Sequence, residues 1–305
     1  MSCEACASFS FFPIFITQLS HQNLDFSYVI SLRPLILLLA SALFAPLAHA
    51  QSIGIMPFER TTPASRLGAT ITNDIEIYNN GSVPIQVSTE VKDWSLSPTG
   101  QKIYAPIGTL PSSLGAHLRL NPTVFSVPPR KSQRVRYSIS VPADMMGELR
   151  AMIFFTTRPL PVAEKGVSLN IATRLGCSLF LTPPKSIFSN AAQPKISEIK
   201  IVGDVPQVVV KVENAGLSST RLSGAIEARN AAGVVITRGT LPRTQLLSGG
   251  QREITARWQT ALPPGDYTFK ATLDSGKGSR VAGELRATLA TEIKATPIPT
   301  SKTTK

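Results

Sequence analysis

The chain reads as all-β: two tandem β-sandwich domains behind an N-terminal export signal. Three observations predict this. Short stretches of period-two alternation recur along the chain, with turn residues between them about every ten positions. Proline (24) and glycine (20) are plentiful and spread out over 305 residues, as many tight turns require. No sustained 3.6-residue apolar period follows residue 50, so helix is expected to be scarce. An apolar content of 43% against 16% charged residues belongs to a folded chain. The length suffices for two domains.

Residues 1–50 read as targeting sequence. Arg33 precedes an apolar stretch that runs to Leu47, and Ala48-His49-Ala50 offers a small-x-small cleavage site before Gln51. This is the pattern of a secretory signal peptide, with cleavage between Ala50 and Gln51. Residues 1–30 are unusual ahead of such a signal, which suggests a true translation start near residues 29–32. An uncleaved anchor is the rival reading. Arg33 and Pro34 interrupt the apolar run, leaving less than the ~20 residues a membrane span needs. Of the three cysteines, Cys3 and Cys6 leave with this segment, so Cys177 stands without an internal disulfide partner. Its place on an apolar strand face predicts a buried small hydrophobe.

The first domain is expected over residues 51–184. Pro57 and Pro63 restrict its opening to an edge strand or extended lead-in. Residues 69–78 alternate around Ile71, Ile75 and Ile77, and Asn79-Asn80-Gly81 is a strong turn signal. Residues 83–94 resume as a strand carrying Ile85, Val87, Thr89 and Val91 on one face, with Trp94 expected to cap the core. Residues 95–120 read as irregular. Residues 121–127 and 135–141 read as strands around Pro128-Pro129, and LRAMIFFT over 149–156 as a buried central strand. A linker is expected over 186–194.

The second domain, residues 193–291, repeats the plan. Strands are expected over 196–201, 207–212, 222–229 and 234–238. Asn214-Ala215-Gly216 matches the turn at Asn79-Asn80-Gly81, and Gly249-Gly250-Gln251-Arg252 echoes residues 130–134. The Pro263-Pro264-Gly265-Asp266 turn leads into TFKATL as residues 142–148 lead into RAMIFF. Residues 292–305, rich in Thr, Lys and Pro, are expected to form a disordered tail.

Catalytic signatures are missing. After the leader one histidine remains, His117, which cannot support a histidine-rich metal site. No nucleophile elbow, zincin, phosphate-loop or dinucleotide motif occurs. Asp74 and Glu76, two apart on one strand face, read as solvated rather than as a catalytic pair. Asp144 and Glu148 flank a turn, and Asp266 belongs to one. The expectation is a binding protein without cofactor or metal, and not an enzyme. The net charge of +12 suits acidic proteins or anionic envelope surfaces, or serves only solubility. An exported chain lacking interleaved aromatic and basic residues is a poor match for nucleic acid.

The positive signal lies in residues 167–181. Val167, Leu169, Ile171, Thr173, Leu175, Cys177, Leu179 and Leu181 alternate with mostly polar or tiny positions. The run is about three times the usual strand length and would reach roughly 50 Å. It reads either as one long or bent core strand broken at Gly176, or as a strand whose surplus length is offered to another chain. An extended partner can add to a sheet edge by backbone hydrogen bonds, with alternate side chains filling pockets.

Several residues together carry a family resemblance. Asn121-Pro122, Phe125, Val127, Pro129, Gln133, Val135 and Arg136 resemble the PP…F…P…Q…VR segment of the periplasmic pilus-assembly chaperones, the PapD-like family. The strand ending in Trp94 is similar too, as is the long strand closing with Leu179-Phe180-Leu181-Thr182-Pro183. The resemblance covers residues 53–183. It implies two immunoglobulin-like domains in a boomerang, the first lending its long G1 strand to a pilus or fimbrial subunit that lacks its last strand. Val167, Leu169, Ile171, Leu175 and Leu179 would be the subunit-binding side chains. The family holds the subunit's C-terminal carboxylate with two basic residues in the interdomain cleft. Arg60 is the best match to the first. Ser178 stands at the place of the second, normally lysine, and Arg174 lies four residues earlier on the same face. GELRAM over 147–152 departs from the aromatic-rich strand usual in the family. The implied partners are pilus subunits and an outer-membrane usher, and the implied location is the periplasm. The alternative is a structural or adhesive envelope protein made of two complete sandwiches.

Overall fold

The computed structural model describes residues 53–159, 172–185, 193–276 and 280–296. The cleavage pair Ala50 and Gln51 lies outside them, as do Val167, Leu169 and Ile171. The described residues form two β-sandwiches, in accord with the fold class expected from alternation and turns.

In the first sandwich, β1 (Ile53–Met56), β3 (Thr70–Asn79), β8 (Ser132–Ser140) and β6 (Leu118–Asn121) make one sheet in the order β1-β3-β8-β6. The other sheet has the order β2-β10-β9-β4-β5, with β7 also on β4. Its members are β2 (Glu59–Pro63), β4 (Ile85–Leu96), β5 (Lys102–Ala105), β7 (Val124–Val127), β9 (Leu149–Pro159) and β10 (Thr173–Thr182). The opening segment changes sheets at Pro57: β1 pairs β3, and β2 pairs β10. A proline, lacking an N–H to donate, is suited to that break.

Alternation sets the core. Ile75, Ile77, Val87, Val135, Tyr137, Ile153, Phe155, Cys177 and Leu181 are all fully buried between the two sheets. Trp94 departs from the expectation. In β4 the inward positions are Ile85, Val87 and Val91, an odd-numbered series ending at buried Asp93. Trp94 is out of phase and faces the opposite side. There it packs with Met152, Phe154, Phe180 and Leu247, the last contributed by the second sandwich. It seals the junction between domains, not the core of its own.

The second sandwich pairs a sheet β11-β12-β15 with a sheet β16-β14-β13-β17-β18. The strands are β11 (Lys195–Val202), β12 (Gln207–Glu213), β13 (Thr220–Arg229), β14 (Val235–Leu246), β15 (Gln251–Thr255), β16 (Arg257–Trp258), β17 (Gly265–Asp274) and β18 (Arg280–Leu289). Trp258, Phe269, Val210, Ile226 and Leu273 anchor its core.

The internal repeat is physical. Asn79 and Asn214 are each 2% exposed. Each accepts from the N–H two residues on (Gly81, Gly216) and donates through Nδ2 to carbonyls of the neighbouring turn. Their backbone N–H groups donate to Lys131 O and Gly250 O respectively. The preceding residue in each of those turns is left-handed: Arg130 at φ 59° and Gly249 at φ 69°. Glycine holds that conformation without the steric cost an arginine meets. We expect Arg130→Gly to raise stability by about 1 kcal/mol, read as a rise in the denaturation midpoint. An unchanged or lower midpoint would show that Arg130 makes compensating contacts.

Candidate functional site

The long alternating stretch appears in the described residues as β10, Thr173–Thr182, running unbroken through Gly176. Gly176 does not end the strand; it leaves room for neighbours. A Cβ there would stand 3.0 Å from Met152 Sδ and 3.3 Å from the Phe154 ring. The two faces of β10 differ. Leu175, Cys177, Leu179 and Leu181 turn toward the first core, whereas Phe180 belongs to the junction cluster around Trp94. Cys177 is the buried small hydrophobe its phase predicts. Burial pushes its thiol up to about 12, so it is unreactive at neutral pH.

The edges of β10 are unequal. One side pairs β9 along its length, from Thr173↔Thr157 to Leu181↔Leu149. The other side is taken by β2 only over Ser178–Thr182, in parallel register with Glu59–Pro63. Ser178 N donates to Phe58 O at 2.9 Å, and Thr182 O accepts from Ala64 N at 2.9 Å. Even-numbered residues of β10 therefore aim their backbone groups at β2. Arg174 and Gly176 aim theirs the same way, past the point where β2 stops, and no described residue pairs with them there.

Of the subunit-binding side chains expected from the sequence, Leu175 is half-buried at the core's margin beside this open length. Leu179 is different. It is 1% exposed, flanked by β2 and β9, and packed into the domain's own core. In the free chain its side chain is already enclosed.

The two candidate anchors do not converge. Paired residues of adjacent strands project to the same side of a sheet. Arg60 pairs Leu179, so it emerges on the core side, where its Nη1 donates to Asn73 Oδ1 at 2.8 Å. Arg174 lies on the opposite face. Its guanidinium sits 3.7 Å from the Phe154 ring centroid and bonds the Glu90 carboxylate. Such cation–π stacking adds to the ion pair in fixing the side chain.

The cleft between the sandwiches is built from other residues. Glu59, Thr61, Phe180, Thr182 and Lys185 line it from the first side, and Ser218, Arg221 and Arg243 from the second. Arg221 Nη2 clamps both Glu59 oxygens at 2.5 and 2.6 Å. The sequence offered no signal that one cleft residue would be acidic, since Glu59 is next to the expected cation.

Glu148 is the other feature missed. Its backbone N–H donates to Leu217 O at 2.9 Å, and its carboxylate accepts from Ser219 N at 2.8 Å and from Ser219 Oγ. Arg150 lies 3.9 Å away and donates through Nε to Trp94 O at 3.1 Å. Both side chains are nearly enclosed, at 1% and 8% exposure. Burial pushes the Glu148 carboxyl above the usual carboxylate range, opposed by Ser219 and Arg150. This turn residue latches the two sandwiches together. A second contact joins them at Glu253 N, which donates to Pro98 O at 2.8 Å.

Among the described residues no cluster of His, Cys, Asp and Glu could hold a metal ion, and no helix is long and apolar enough to cross a membrane. No family model matches the chain, and no curated protein matches it. Solved structures do. One is the chaperone–tip adhesion subunit pre-assembly complex CsuC-CsuE from archaic chaperone-usher Csu pili of Acinetobacter baumannii. It matches at 14% identity and TM-score 0.44, over 76% of this chain and 97% of that one. The YadV chaperone matches at 13% identity and TM-score 0.41, over 77% and 99%. The CupB2 chaperone of Pseudomonas aeruginosa matches at 15% identity and TM-score 0.38, over 77% and 100%. These solved structures to which the chain is similar are, by their names, chaperones, the first of them from a chaperone-usher pilus system.

Proposed function

We propose that this protein is a divergent member of the periplasmic pilus-assembly chaperone family, which lends β10 to an incomplete pilus or fimbrial subunit. The observation that carries the reading is the unequal edge of β10. Its lower half is paired on both sides, and its upper half, Thr173 to Cys177, has a single described neighbour. A strand edge with free N–H and C=O groups recruits another strand. The sequence that leads into this edge, with Val167, Leu169 and Ile171, continues the same alternation. Export through the signal at residues 1–50 places the chain where such subunits fold, with an outer-membrane usher as the receiving partner. No catalytic role is assigned.

The second reading is an envelope protein with two complete sandwiches. The enclosure of Leu179 and the β2 pairing over Ser178–Thr182 favour it. Amide exchange on the isolated protein separates the two. Strand lending predicts that Arg174 and Gly176 exchange quickly while Ser178 and Phe180 are protected, by a factor on the order of 100 or more. Uniform slow exchange from Thr173 to Thr182 would establish the complete sandwich. Partner capture gives the direct test: co-expression with candidate subunits should yield a complex that is lost when Leu169, Ile171 and Leu175 are all made polar.

A further inference from the structure

The chain does not leave the second sandwich at the end of β18. Ile293 is 2% exposed and exchanges two backbone hydrogen bonds with Leu262, at 2.8 and 2.9 Å. Thr296 N donates to Trp258 O at 3.0 Å, and Trp258 N donates to Thr296 Oγ1 at 3.4 Å. Residues 293–296 therefore run antiparallel to 258–262 and cover that edge.

Thr296 stands at the wall of a groove of about 500 Å³. Val205, Pro206, Pro242, Thr255 and Arg257 line it, together with Thr99 of the first sandwich. Thr255 and Arg257 face outward: both are exposed, while Ile254, Ala256 and Trp258 are buried. Val205 is a bare apolar side chain there, 56% exposed.

The sequence that follows Thr296 matches this groove in shape, length and charge. Residues 297–301 are Pro-Ile-Pro-Thr-Ser, with Lys302 next. Each proline fixes its own φ and holds the residue before it extended. Thr296 to Pro299 thus has little freedom to lose on docking. Five residues at ~3.1 Å each span about 16 Å. The strand beneath runs from Trp258, bonded to Thr296, to Glu253, whose N–H donates to Pro98 O. At ~3.3 Å per residue that length is about 17 Å. Arg252, Arg257 and Lys294 also line the groove, and its carboxylate, Glu253, is engaged by Lys200. Such a site suits an uncharged segment and turns away the lysines at 302 and 305.

We propose that residues 297–301 lie extended in this groove, with Ile298 packed on Val205 and Pro206 and Ser301 beside Thr99. The segment then straps the second sandwich to the first, next to the contact between Pro98 and Glu253. The strap is independent of strand lending by β10.

The test uses the full chain carrying Cys3→Ser, Cys6→Ser and Gln207→Cys. Gln207 is exposed and lines the same groove, and Cys177 is buried, so the new thiol is the one a neutral maleimide reads. Its labelling should be about tenfold faster in a chain that stops after Thr296. Ile298→Ser should recover at least about fivefold of that increase, and Lys302→Ala with Lys305→Ala should stay within about twofold of the full chain. Melting curves verify that each variant is folded. Equal labelling of the full and shortened chains overturns the inference, as does an Ile298→Ser chain labelled as slowly as its parent. Thr99→Cys with Ser301→Cys, in a chain that keeps Gln207, should close a disulfide when an oxidant is added. If it does not, the reach to the first sandwich is refuted.

Discussion

Glu148→Ala should cost about 3 kcal/mol of stability and loosen the two sandwiches against each other. The carboxylate accepts both Ser219 N and Ser219 Oγ in an enclosed site. Alanine strands one buried N–H and leaves Arg150, 8% exposed, with Asp93 as its remaining electrostatic partner. Removing one partner of a buried charged pair typically costs ~3–5 kcal/mol, and a lost acceptor for a buried donor ~1–3 kcal/mol. The bond from Glu148 N to Leu217 O survives, since it is backbone, which keeps the estimate at the lower bound. Glu148→Gln should cost less, because its amide oxygen still accepts from Ser219 N.

The pH dependence has an unusual sign. Burial raises the folded carboxyl above its unfolded value, so the native state binds a proton more tightly than the unfolded chain. Stability from this group is then least when it is fully ionised and grows as pH falls through the raised value toward the ordinary carboxylate range. The deficit of Glu148→Gln relative to wild type should therefore widen as the pH falls from neutral through the raised value toward the ordinary carboxylate range. The exposed carboxylates of Glu76 and Glu253 are shifted downward by hydrogen bonds from Ser132 and Lys200 and act in the opposite sense, at lower pH. Both proteins share them, so the comparison cancels them. A deficit that narrows on acidification would mean that Ser219 and Arg150 outweigh burial. Chemical denaturation gives the free energies, and small-angle scattering reports the loosened angle.

Much of the fold was legible because period-two alternation survives wherever one face of a strand meets a core. The Asn79 and Asn214 turns were legible as a repeat because each needs an asparagine oxygen for the N–H two residues on. What stayed hidden lacked such a signal. β18 carries Val281, Leu285 and Leu289 inward, but Gly283 and Ala287 dilute the pattern. Gly283 is small because a Cβ there would press on Ile196 Cγ2 at 2.9 Å. β5 and β6 are four residues each, too short to show a period inside a stretch full of turn residues. The candidate site was half legible. Alternation located β10, but it cannot tell an inward strand covered by β2 from one left open. Leu175 and Leu179 therefore looked alike. The placement of the anchor candidates was hidden for a related reason: Arg60 and Glu59 are neighbours in sequence, and only the register against Ser178 and Leu179 decides which of them faces the cleft.

Gly224→Ala should unfold the second sandwich in part or whole, with a cost of about 3 kcal/mol or more. Gly224 lies in β13 where the pairing with β14 shifts register, between Leu222 and Gly224. On its other side it pairs Leu273 of β17. A Cβ built there would collide with the Thr272 carbonyl oxygen and stand 2.9 Å from Leu273 Cα. Both obstacles are backbone, so no rotamer change relieves them. Relief requires β17 to move off β13, and Leu222 and Leu273, at 1% and 0% exposure, would move with it. Gly233 is the control. Its φ is 81° and nothing lies within 4 Å of its Cβ position, so Gly233→Ala meets only the left-handed backbone cost of about 1 kcal/mol. Equal losses for the two would show that β13 and β17 separate easily. The unequal losses expected here place the rigidity of the second sandwich in that strand pair. Rigidity at β13 matters beyond the domain, because Ser219, just before that strand, and Arg221, at its start, hold Glu148 and Glu59 of the first sandwich. A Gly224→Ala protein that keeps a native first sandwich should therefore still expose the β10 edge while losing the cleft, separating strand capture from interdomain geometry in one preparation.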